Sequence, residues 1–163
     1  MDEMRSKIMT VDALAPLLTE HRRQKQTIVF TNGCFDLMHI GHTRYLQAAR
    51  GLGDELVVGV NSDESVRALK KGSERPIVPE TQRAEVLAAL ACVDYVVIFR
   101  EPDPGSLIAA LQPDILVKGG DWPLDRIVGR DTVEARGGRV QTIPLVPGVS
   151  TTMLIQRIRS TAV

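Results

Sequence analysis

The chain has 163 residues, 44% of them apolar and 25% charged, a composition typical of a globular domain and a length that allows it its own core. Its 20 Lys and Arg balance 20 Asp and Glu with no long run of one sign, which argues against a general nucleic-acid or acidic-membrane surface. Cys34 and Cys92 form no C-x-x-C pair, and no apolar run follows the N-terminus, so free reduced thiols are expected, without a signal peptide or membrane span. Along the chain, residues 10–23 read as a short amphipathic helix, with Thr10 as its cap, Val11, Leu14, Leu17 and Leu18 on one side, and Pro16 as an awkward guest. Strands are expected at 27–32, 55–61, 94–99, 114–118 and 139–143, the first four as near-continuous apolar runs suited to buried parallel strands. Helices are expected at 42–51, 63–70, 80–92, 104–111, 130–136 and 150–159. This alternation predicts an α/β fold, a Rossmann-like doubly wound parallel sheet of about five strands. It reads as one domain over 1–163, with a helical extension at 1–24 ahead of a core at 25–160. The polar segment Lys70-Lys71-Gly72-Ser73-Glu74-Arg75-Pro76 is expected to be a mobile loop, and its three cations suit a lid over anions or an ordinary solvated surface.

The most informative stretch is Thr31-Asn32-Gly33-Cys34-Phe35-Asp36-Leu37-Met38-His39-Ile40-Gly41-His42. A strand ends, a turn carries two histidines around a glycine, and a helix begins. Helix N-termini attract anions through free N–H groups and the macrodipole, and two imidazoles there add donors that fit phosphate. Gly41 suits a backbone that must approach a ligand closely. The plain alternatives are two loop histidines, one of them a helix cap, or a metal set of Cys34, Asp36, His39 and His42 that lacks a further distant pair. Open sheets of this type bind ligands beyond the carboxyl ends of their strands, where this turn lies. Near the C-terminus, Ser150-Thr151-Thr152 reads as the cap of the last helix, and the same geometry offers hydroxyls and N–H groups to a phosphate.

The strand–His-x-Gly-His–helix unit resembles the nucleotidyltransferase superfamily that includes cytidylyltransferases, pantetheine-phosphate adenylyltransferase and class I aminoacyl-tRNA synthetases. The tetrad reads His-Ile-Gly-His as in the synthetases, but the chain is far shorter than a synthetase and has no Lys-Met-Ser-Lys-Ser segment. Further motifs run in order: Thr31–Asp36, Gly59-Val60-Asn61-Ser62-Asp63, Arg75-Pro76, Gln82-Arg83, Leu116-Val117-Lys118-Gly119-Gly120-Asp121 and Ser150-Thr151-Thr152. Together they resemble the adenylyltransferase domain of bacterial heptose kinase/adenylyltransferase proteins across 25–160, here without the kinase part and so as a stand-alone form. Met38 stands where the family often has leucine, and Arg44 where relatives carry lysine.

The resemblance implies transfer of AMP from ATP to a heptose 1-phosphate, giving ADP-heptose and pyrophosphate for lipopolysaccharide or a related glycan. It implies His39 and His42 as the catalytic pair. It implies nucleotide contacts from Thr31, Asn32, Gly33, Phe35, Gly41, Arg44, Arg83, Lys118, Gly119, Asp121, Ser150, Thr151 and Thr152, and sugar-phosphate contacts from Asp36, Asn61 and Asp63. Plain readings stand beside these: Arg83 as a solvated helix charge, Lys118–Asp121 as a β–α turn, Asp36 as a turn-stabilising side chain. Mg²⁺ is expected to bind through ATP phosphates, with no protein-held metal. The implied partners are ATP and a sugar 1-phosphate, with no nucleic acid and no membrane, for a cytoplasmic homo-oligomer, a dimer. The alternatives are a small cytidylyl- or adenylyltransferase using glycerol 3-phosphate or a pantetheine phosphate, and a nucleotide-binding module without turnover.

Overall fold

A computed structural model describes residues 2–120 and 122–161. Its elements follow the expected alternation: α1 Asp2–Ser6, α2 Val11–Arg23, β1 Ile28–Gly33, α3 Ile40–Arg50, β2 Glu55–Asn61, α4 Asp63–Ala68, α5 Glu80–Ala88, β3 Tyr95–Phe99, α6 Gly105–Leu111, β4 Ile115–Gly119, α7 Arg130–Glu134, β5 Arg139–Ile143 and α8 Thr151–Thr161. The five strands form one sheet in the order β3-β2-β1-β4-β5, and every pairing is parallel. The register runs from Ile28 opposite Glu55 to Gly33 opposite Val60, and Val29 lies opposite Ile115.

The apolar runs have a direct structural cause. Along β1 and β2, Val29, Leu56 and Val58 enter one apolar cluster, while Ile28, Phe30 and Val57 enter the other. Successive side chains point to opposite faces, so a strand covered by helices on both sides has no solvent face to make polar. Each fully buried side chain of this kind contributes about 1.5–3 kcal/mol. From β1 the chain winds outward through β2 to β3, then crosses back to β4 and β5. The order therefore reverses between β1 and β4, and a crevice opens beyond their carboxyl ends.

Several boundaries differ from expectation. α3 begins at Ile40 rather than 42, because His39 caps it with its own ring. α5 stops at Ala88, short of 92, and α4 at Ala68. Helix α1 and a 3₁₀ turn at Leu124–Arg126 are too short to leave a periodic signal. The N-terminal helical extension packs onto the core through residues 7–18. Leu14 and Leu18 of α2 are fully buried beside Phe30, and Met9 N–H to Val96 and Val96 N–H to Lys7 stitch the segment onto the free edge of β3. Pro16 sits inside α2, which continues to Arg23. Among the described residues, no helix is long and apolar enough to cross a membrane.

Candidate active site

β1 ends at Gly33, and Phe35 turns the chain with φ of 48°, a left-handed conformation rare for a bulky residue and characteristic of functional turns. The turn delivers His39 in an extended conformation, and its Nδ1 accepts the Gly41 N–H at 3.1 Å. A Cβ on residue 41 would stand 2.8 Å from that ring, so glycine is what permits the cap. Because Nδ1 accepts, neutral His39 carries its proton on Nε2 and can donate from there. His42 follows in the first turn of α3. Its ring stacks on that of His39 at 3.8 Å and meets Phe35 edge-on at 5.3 Å. Burial, then the neighbouring His39 and Arg75, push His42 down to about 4, and burial also lowers His39. Two stacked imidazoles are thus held neutral at pH 7, and His42 Nδ1 is buried without a hydrogen-bond partner.

The opposite wall is the start of α8. Ser150 Oγ accepts the Met153 N–H at 3.1 Å, and Thr151 Oγ1 donates to the Leu37 carbonyl at 3.4 Å, tying α8 to the histidine turn. Two helix N-termini therefore face one cavity of about 580 Å³. Both present free N–H groups and the positive end of a macrodipole, which makes the cavity a site for a polyanion.

Of the residues expected at the site, Asn32, Gly33, Phe35, Asp36, His39, Gly41, His42, Gly119, Ser150, Thr151 and Thr152 line this cavity. Asn61 and Lys118 line an adjoining lobe of about 500 Å³ that shares Asn32, Gly33, Cys34, Lys71 and Gly119 with it. Asp121 lies outside the described residues.

Five expectations are corrected by what the side chains already hold or by where they lie. Thr31 is fully buried and bonds the Tyr45 hydroxyl at 2.6 Å, while that hydroxyl donates to the Val117 carbonyl; burial pushes Tyr45 up to about 12. Arg83 does not line the cavity. Its guanidinium is fully buried and donates to the Val78 and Cys34 carbonyls and to Asp63 at 2.8 Å, which also occupies Asp63. Arg44 is exposed on α3 and does not line the cavity. Asp36 is no open sugar carboxylate: its side chain is 0% exposed, pairs with Arg75 Nε at 2.5 Å, and accepts the Ile77 and Val78 N–H groups.

The same engagement tests the metal set of Cys34, Asp36, His39 and His42, since its only carboxylate has no free face. Among the described residues, no group of three or more His, Cys, Asp or Glu is placed to hold a metal ion. The donor set fits no resident divalent cation.

Lys71 and Arg75 of the loop 70–76 line the cavity, as do Tyr45, Leu145, Val146 and Val149, which were not singled out for it. For the last three a signal existed: Pro144-Leu145-Val146-Pro147-Gly148-Val149 puts apolar residues in a loop bracketed by prolines, where only a ligand or partner explains them. Leu145 is 64% exposed.

Comparison with known proteins agrees with this geometry. Bifunctional protein HldE of Citrifermentans bemidjiense is 56% identical over 155 residues, 95% of this chain and 32% of that protein. The HldE of Geobacter sulfurreducens is 52% identical over 153 residues, 94% of this chain and 31% of its own length. The chain thus spans about a third of the curated relatives it matches. Among solved structures, the lipopolysaccharide core biosynthesis protein from Thermoplasma volcanium is 30% identical with a TM-score of 0.62, covering 74% of this chain and 97% of that one. Pantoate-beta-alanine ligase from Francisella tularensis shares the fold at 13% identity and a TM-score of 0.60, over 96% of this chain and 78% of the ligase. Residues 30–157, from the middle of β1 into α8, match the cytidylyltransferase-like family, and with the histidine turn and the α8 turn facing each other inside that span, the chain belongs to this family.

Proposed function

We propose that this chain transfers AMP from ATP to the phosphate of a heptose 1-phosphate, giving an ADP-heptose and pyrophosphate. One observation carries the reading: a stacked pair of neutral histidines at the start of α3 faces the Ser150–Thr152 turn of α8 across one cavity. The similarity to HldE proteins and to a lipopolysaccharide core biosynthesis protein supports the sugar-nucleotide assignment. The described chain acts as one catalytic unit, in the cytoplasm where ATP is available, and as a homodimer.

The acceptor's phosphate oxygen attacks the α-phosphorus of ATP, and the bond from that phosphorus to the β-bridging oxygen breaks. The attacking oxygen is already anionic, so no side chain need remove a proton, and no enzyme nucleophile is needed. Catalysis rests on positioning and on stabilising charge at the departing pyrophosphate. His39 Nε2–H and the His42 ring donate to the α- and β-phosphates, while Ser150, Thr151 and Thr152 receive the distal phosphates. Neutral imidazoles suit this role, because they donate without a fixed charge that would hold the ground state as firmly as the transition state. The donor substrate is the Mg²⁺ complex of ATP, the metal carried on phosphate oxygens.

Pyrophosphate release with D-glycero-D-manno-heptose 1-phosphate and each nucleoside triphosphate in turn is the test. ATP with the heptose phosphate should give the highest turnover. Equal or better turnover with CTP removes the adenylyl assignment. Higher turnover with glycerol 3-phosphate or 4′-phosphopantetheine replaces the sugar, and no pyrophosphate with any acceptor leaves a binding module.

A further inference from the structure

Arg75 is half scaffold. Its side chain is only 6% exposed, yet it lines the histidine cavity. Asp36 takes its Nε, and the same carboxylate accepts the Ile77 and Val78 N–H groups, so the segment 75–78 wraps around one buried acid. Among the described residues, Arg75 Nη1 and Nη2 donate to no protein group. Neither is sealed inside the protein, since the buried side-chain atoms without a partner are Gln26 Oε1 and His42 Nδ1. The two Nη groups therefore open on the cavity that the residue lines. A guanidinium held through Nε presents its far edge, with N–H bonds spaced for two oxygens of one phosphate.

The charge of the cavity gives that edge a task. His39 and His42 are neutral, so Lys71 and Arg75 are the only permanent cations among its described lining residues. Lys71 stands on an exposed loop, whereas Arg75 is fixed by Asp36 before any ligand arrives. Its surroundings fix its place as well. Asp36 holds Arg75, and the next residue, Leu37, holds α8 by accepting from Thr151 Oγ1 at 3.4 Å. On the other side, Glu74 reaches Arg159 of α8 at 3.0 Å. Arg75 is thus tied to the same turn as the histidines and to the start of α8. Resting on the nucleotidyl-transfer reading above, we propose that Arg75 is a catalytic residue whose Nη1 and Nη2 donate to the β-phosphate and stabilise the charge that builds there as pyrophosphate departs. The bond from the α-phosphorus to the bridging oxygen breaks, its electron pair stays on that oxygen, and no proton moves to or from Arg75. The imidazoles then supply direction and the guanidinium supplies charge.

Calorimetry with pyrophosphate and with AMP tests this without turnover, because AMP carries the α-phosphate and lacks the β. Arg75→Met should weaken pyrophosphate about tenfold or more, the scale of lost charge-assisted hydrogen bonds, and leave AMP within about twofold. In the assay it should lower kcat by about 10²–10³ and leave the acceptor KM within about twofold. Arg75→Met also strands the buried Asp36 carboxylate, so the paired variant Asp36→Asn with Arg75→Met, which removes both charges, keeps the test open if the single variant fails to fold. It should show the same selective loss of pyrophosphate. A scaffold residue would give a different pattern, weakening AMP and pyrophosphate alike. That pattern overturns the proposal, as does an unchanged pyrophosphate affinity, or a raised acceptor KM with kcat preserved. If Arg75→Met loses pyrophosphate affinity selectively but the wild type releases no pyrophosphate with any acceptor, the phosphate contact stands and the transfer reading falls.

Discussion

Asp36 with Arg75 and Asp63 with Arg83 lie behind the histidine turn, and each arginine is buried against its carboxylate. In the adjoining lobe Lys71, Lys118 and Arg126 form no ion pair among the described residues, and Asp103 beside them accepts the Gly105 N–H. Both sets sit at the same end of the sheet, and both contain cations of the kind that bind phosphate. What separates them is satisfaction. In the first set Asp36 accepts from Arg75 Nε and from the Ile77 and Val78 N–H groups, and Arg83 donates to Val78, Cys34 and Asp63, which fixes the β1–α3 turn against the segment 75–78. The second keeps its donors for something that arrives. A charge is therefore assigned to scaffold or to ligand by counting its partners, since residue type does not decide it.

The sharpest way to break this comparison is Asp36→Ala. Removing one member of a buried ion pair strands the other, so stability should fall by about 3–5 kcal/mol in urea denaturation. An Asp36 that served mainly as a sugar ligand would give the opposite pattern, with stability kept and acceptor KM raised. Next in size is His42→Ala. Losing a donor aimed at charge that grows in the transition state typically lowers kcat by about 10²–10³. Single-turnover pyrophosphate release should show that loss while ATP binding changes little, and an unchanged kcat removes His42 from the mechanism.

The same histidine makes a pH prediction. Its native value is lowered to about 4, while an unfolded histidine titrates near 6.5. Between those values the unfolded chain binds a proton that the native protein refuses. Stability should therefore decline as pH falls through that window, with a slope from His42 of at most about 1.4 kcal/mol per pH unit, and less for a partly solvated ring. His42→Asn should flatten that part of the profile, and above pH 6.5 the two profiles should run parallel. Parallel profiles at every pH would mean that the ring is not held neutral.

The legible parts of this molecule were local in sequence. The five strands, the histidine turn and the α8 cap each announce themselves within a dozen residues, because period, cap and turn chemistry are short-range. The partners of charged residues are not short-range. Arg75 meets Asp36 and Arg83 meets the Cys34 carbonyl across 39 and 49 positions, and nothing near Arg83 in sequence distinguishes a buried clamp from a solvated helix charge. Lys118 was visible as a candidate but not its lobe, since Asn32, Lys71 and Lys118 meet only once β1 and β4 are neighbours.

The smallest expected effect concerns the loop 70–76, which the comparison divides in two. Its Arg75 end is buried and paired, while Lys70 to Glu74 are exposed, and Glu74 reaches Arg159 of α8 at 3.0 Å. That exposed bridge is worth about 0.2–1 kcal/mol, so Glu74→Ala should barely move global stability. It should still free the loop tip locally, because the bridge joins the tip to the helix that carries the Ser150–Thr152 turn. Tryptic cleavage after Lys70 or Lys71 reads this directly. Wild type should be cut slowly, more slowly still with ATP analogue and sugar phosphate bound, and Glu74→Ala should be cut faster only in the free state. Lys71 lines both lobes, so bound phosphate replaces the lost tether. Cleavage that ignores the ligands would return Lys70 and Lys71 to the solvent and leave Arg75 as the loop's single anchored charge.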